Sequence, residues 1–131
     1  RGFRGSTRPH FFYETKNSMA TLHIQDGSSK KSFINLYLSN NKDKNFIFII
    51  NPGKNKAIIE PNTKIFYRDK MKKQKKQSAF IVPPNGSNLL ELNQLESKFE
   101  NHIVECKSSE PIKCYFIISD NNLDRISVDH M

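Results

Sequence analysis

Apolar and polar residues alternate in short runs along this chain, and turn-forming residues divide the runs. Over 32–38, Ile34, Leu36 and Leu38 share one face while Phe33, Asn35 and Tyr37 share the other. That period of two is the signature of a strand. Residues 46–50 (Phe-Ile-Phe-Ile-Ile) are apolar on both faces, which predicts a central strand covered on both sides. Further strands are predicted over 10–14, 21–25, 57–60, 64–68 and 78–82, with a last hairpin made by 103–106 and 112–119. The punctuation agrees. Asp26-Gly27 suits a tight hairpin, Asn51-Pro52-Gly53 ends the central strand, and Pro61-Asn62 closes 57–60. Pro83-Pro84-Asn85-Gly86 stops 78–82, and Ser108-Ser109-Glu110-Pro111 turns the last hairpin.

One segment has a different period. Leu89, Leu92, Leu95 and Phe99 recur at spacings of three, three and four, with Asn88 placed as a cap and Glu91, Glu96 and Glu100 on the opposite side. This predicts a short helix over 88–100. About nine strands and one helix, with no internal repeat and no alternation of strands with helices, give an all-β chain. The expected fold is an antiparallel, immunoglobulin-like β-sandwich, with a small closed β-barrel as the alternative.

A chain of 131 residues supports one domain. Residues 1–9, with Arg1, Arg4, Arg8 and two glycines, read as a basic flexible arm. Residues 10–119 form the sandwich, and 120–131 read as a polar tail that frays. At 36% apolar the chain is too hydrophobic for a disordered segment. Its longest apolar run, 46–50, falls far short of the roughly 18 residues of a transmembrane segment. No apolar leader follows Arg1, and the missing initial Met points to a processed or excised chain. Compartment stays open, because two cysteines suit oxidising and reducing surroundings alike. Asn85-Gly86-Ser87 is a formal glycosylation acceptor of a kind common by chance in Asn-rich chains.

Charge changes this picture. Residues 1–76 carry 17 Lys/Arg against five Asp/Glu, and residues 77–131 carry four against eight. The run Lys70, Lys72, Lys73, Lys75 and Lys76 places five lysines in seven residues, in a predicted loop over 69–77. Unpaired ammonium groups are too costly to bury, so this run belongs in solvent. It fits a contact with a polyanion or an acidic protein, or simply a soluble loop in a chain rich in Asn, Lys and Ile. Arg1, Arg4 and Arg8 suit bidentate anion binding, and Phe3 suits base stacking. The same arm also suits exchange with a neighbouring subunit.

Catalytic and metal signals are missing from the sequence. It has no Gly-x-Ser-x-Gly elbow, phosphate-binding loop or dinucleotide fingerprint. Asp26, Asp43, Glu60 and Asp69 fall in or beside predicted turns. Cys106 and Cys114, eight positions apart, lack zinc spacing. Facing each other across the last hairpin, they would be a possible disulfide or two small buried apolar groups. The expectation is a non-catalytic binding or assembly module with no metal or cofactor. It would dock onto protein subunits of a larger assembly, acidic ones included, through Arg1, Arg4, Arg8 and the lysine run. Binding of nucleic acid or another polyanion is the rival.

Overall fold

The computed structural model describes residues 10–23, 29–39, 43–67, 70–92 and 100–131. These segments hold ten strands, all paired antiparallel, and no helix occurs among the described residues. The described fold is therefore all-β, as its alternation predicts.

Strands β1 (His10–Glu14) and β2 (Met19–His23) form a hairpin. Thr15 closes its turn: the Thr15 amide donates to the Ser18 carbonyl at 2.8 Å, and Thr15 Oγ1 accepts the Ser18 amide at 3.0 Å. The other strands are β3 (Lys30–Ser39), β4 (Asp43–Asn51), β5 (Ala57–Tyr67), β6 (Lys70–Lys76), β7 (Phe80–Val82), β8 (Gly86–Leu92), β9 (Glu100–Asp120) and β10 (Ile126–His130). Their hydrogen-bonded order is β6-β5-β9-β4-β8, with β3 and β10 also on β9 and β7 also on β5.

Strand β9 organises the fold. Its first half pairs with β3 and β5, and its second half with β4 and β10. On a straight strand at ~3.3 Å per residue, Cys106 and Cys114 would stand about 26 Å apart. Instead both side chains pack in one core cluster and each perturbs the ionisation of the other, so β9 bends between them. The register of β3 locates the bend: Ser32 pairs with Lys107 and Lys30 with Ile112, so two steps on β3 answer five on β9. Ser108 Oγ accepts the Glu110 amide at 3.3 Å, and Pro111 has no amide to give. The expected hairpin over 103–106 and 112–119 is thus one bent strand. Both of its halves find partners on each side, which leaves neither free to pair with the other.

Side chains from both halves meet in one core. Val104 and Cys106 precede the bend, Ile112, Cys114 and Phe116 follow it, and all five belong to a cluster with Ile47, Ile49, Ala57 and Ile59. Each fully buried Ile or Val contributes roughly 1.5–3 kcal/mol relative to exposure. In β4, which lies between β8 and β9, Asn45, Ile47, Ile49 and Asn51 are buried while Phe46, Phe48 and Ile50 are half-buried. Residues 46–50 are therefore central, but their second face is only partly covered. Phe33 faces inward at 7% exposure and Ile34 outward at 63%, so the aromatic side of β3 is the one that packs at this position.

Several expectations need correction. The helix over 88–100 is not formed at 88–92, which is strand β8, and 93–99 lies outside the described residues. Pairing with β4 captures this backbone, with Leu92 buried and Leu89 52% exposed. Asn88 Oδ1 accepts the amide of Leu89 itself, at 2.8 Å, instead of capping a helix. Pro61-Asn62 does not end a strand; 57–60 and 64–67 merge into β5, and Arg68 lies outside the described residues. Pro61 is tolerated because it sits where the neighbour of β5 changes from β7 to β6, and its carbonyl accepts the Gln77 amide at 3.1 Å. The expected polar tail carries β10, held on β9. The Asp26-Gly27 turn and the arm over 1–9 lie outside the described residues.

Candidate binding edge

The lysine run expected as a loop is strand β6, at the end of the strand order. Among the described residues only β5 pairs with it, which leaves its other edge open. The register is Asn62↔Lys76, Thr63↔Lys75, Lys64↔Gln74, Ile65↔Lys73, Phe66↔Met71 and Tyr67↔Lys70. Between Ile65 and Phe66 it skips one residue, so Lys72 is the extra residue of a bulge. Lys73 and Lys75 consequently stand opposite Ile65 and Thr63, both buried. Lys70, Gln74 and Lys76 are exposed, as is Met71 at 56%. Lysines and a bulge are also the devices by which edge strands resist pairing with the wrong chain.

Beside β6 the outward face of β5 and β9 is polar and ordered. Lys64 Nζ and Glu105 Oε1 are 2.7 Å apart, and Asn62 Nδ2 donates to Glu105 Oε2 at 3.1 Å. Gln74 Nε2 donates to Asn62 Oδ1 at 3.2 Å, which ties β6 into the same network. The Lys64 hydrogen bond, assisted by Asn62, outweighs partial burial and holds the Glu105 carboxyl below its ordinary value of 4.5. A cleft of about 240 Å³ opens here, lined by Glu60, Asn62, Lys76, Gln77, Glu105 and Lys107 among others. Farther along, Ile58 (43% exposed) and Ile81 (54% exposed) are cross-strand partners. The face thus offers an apolar pair, both signs of charge and an unpaired backbone edge.

Of the residues singled out from sequence, the five lysines come together on β6, while Arg1, Arg4 and Arg8 lie outside the described residues. Cys106 and Cys114 are buried free thiols that face one core from the two sides of the β9 bend, not from two strands of a hairpin. Sequence reasoning missed Asn62, Lys64 and Glu105. Their signal was phase: Asn62 and Lys64 alternate with buried Pro61, Thr63 and Ile65, and Glu105 stands between buried Val104 and Cys106. Among the described residues no group of three or more His, Cys, Asp or Glu is placed to hold a metal ion, and no helix is long and apolar enough to cross a membrane. Comparison with known proteins finds no matching family model, curated protein or solved structure.

Proposed function

We propose that this chain is a non-catalytic binding or assembly module that docks onto protein partners through the open edge of β6. The scaffold in this reading is an immunoglobulin-like sandwich whose two layers are joined by the bent strand β9. The bend and the core shared by its two halves support that reading. The observation that carries the functional reading is that β6, bearing five lysines, pairs on one side only among the described residues. An extended segment of a partner gains main-chain hydrogen bonds from such an edge, and its acidic side chains gain from Lys70, Lys72, Lys73, Lys75 and Lys76. Arg1, Arg4 and Arg8 add charge contacts of the same sign.

Binding of nucleic acid or another polyanion is the second reading, favoured by the density of lysines alone. Glu60 and Glu105 on the neighbouring face weigh against it, as do the exposed Ile58 and Ile81. Salt separates the two readings. Polyanion binding releases counterions and weakens steeply with ionic strength, whereas an interface with an apolar centre loses much less. Gel shift with generic single- and double-stranded nucleic acid at low and moderate salt is the test. Absence of a shift at low salt discards the polyanion reading. Purification of native protein with companions, which a variant with all five lysines changed to Ser no longer retains, supports protein docking. Companions retained by that variant would remove β6 from the interface.

A further inference from the structure

We propose that Cys106 and Cys114 form an intramolecular disulfide that locks the bend of β9. Four observations carry this. Both cysteines are buried and free. They belong to one packed cluster although they stand eight positions apart on a single strand. Their side chains lie near enough for each thiol to perturb the protonation of the other. The register places one on each side of the bend, Cys106 opposite Pro61 of β5 and Cys114 opposite Ile49 of β4. A bond here would therefore tie the β5 side of the core directly to the β4 side.

The two sulfurs are not equivalent. Each thiol perturbs the other, burial disfavours the thiolate form of both, and only Cys114 has a second sulfur beside it. Cys114 Sγ also contacts Met131 Sδ at 3.4 Å, and the Met131 amide donates to the Cys114 carbonyl at 3.1 Å. Either cysteine can serve as the first attacking thiolate. The oxidant is a disulfide donor of the glutathione class. When Cys106 attacks first, it displaces one donor thiol to give a mixed disulfide, and Cys114 attacks the Cys106 sulfur of that intermediate to release the second. One S–S bond replaces two S–H bonds, the donor takes up two electrons, and the protons leave on its two thiols. Both sulfurs are enclosed, so exchange occurs before the core closes or during local opening.

The test uses the chain as it is, equilibrated with oxidised and reduced glutathione, then alkylated in denaturant and weighed. The expected product is a monomer lighter than the reduced chain by two hydrogens, with no alkylated cysteine. Trypsin cuts after Lys107 and Lys113, so the bond would hold 99–107 and 114–125 together while 108–113 departs. The thermal midpoint of the oxidised form should exceed that of the reduced form by about 5–10 °C. Full alkylation of both cysteines under oxidised glutathione would overturn the proposal. So would accumulation of glutathione adducts, a disulfide-linked dimer, or a midpoint lowered by the bond.

Discussion

Asn51 is fully buried, and its side chain is a junction of the fold. Its Nδ2 donates to the carbonyls of Asn55, Val82 and Pro83 at 2.8, 3.2 and 3.2 Å, and its Oδ1 accepts the Gly53 amide at 3.0 Å. These bonds join the end of β4 to the end of β7. Replacing Asn51 by Ala leaves buried backbone groups without partners, and urea unfolding should show a loss of about 2–4 kcal/mol. A loss under about 0.5 kcal/mol would mean that water takes over these bonds. Glu105 sets a second expectation, and its sign follows from linkage. Its carboxyl is held below 4.5 by Lys64, so its contribution is present above that value and disappears as pH falls through the lowered one. The pair is half-exposed, so Glu105→Gln should cost less than about 1 kcal/mol at pH 7. The difference from the unsubstituted chain should vanish in acid. A gap that widened on acidification would give Glu105 the opposite role.

At the scale of elements, burial follows the alternation along β4, and this orders the cost of truncations. Ile49→Ala opens a cavity in the core and should cost about 2–5 kcal/mol. Phe48 lies on the half-covered face against Tyr115, with ring centres 6.3 Å apart, and Phe48→Ala should cost less than Ile49→Ala. Denaturant titration of the two variants checks that order; equal losses would mean that the outer face is as well packed as the core. A continuous apolar run made β4 legible in the sequence, whereas β5 was legible only as two pieces, because Pro61-Asn62 resembles a turn. The same signal was hidden in β6, which has Met71 as its single apolar residue, so an edge strand looked like a loop. At 88–92 the Leu spacing fits a helix, yet β4 offers a complete set of backbone partners and tertiary pairing overrides local preference. The bend in β9 was equally hidden, because Ser108 and Pro111 mark a change of direction without saying how sharp it is. The candidate site was legible as charge, but its geometry depends on long-range pairing that no local pattern contains.

Across the whole molecule, the cations of the first 76 residues outnumber its acids 17 to five, and the described fold gathers five of them on one open strand. Because ammonium groups favour water over an apolar core, changing all five lysines to Ser should leave the thermal midpoint nearly unchanged. The same change removes the guard on an exposed edge, so self-association should rise in sedimentation experiments. A large fall in the midpoint would instead mean that the lysine stems pack against the sheet. The most direct test is residue-resolved hydrogen–deuterium exchange of the backbone amides over 70–76. An edge strand paired on one side only should show slowed exchange at alternate amides and rapid exchange at those between, with the alternation broken at Lys72. Uniformly rapid exchange would make the segment a loop, and uniform protection would mean that its outer side is already paired; either result would contradict the open lysine-bearing edge.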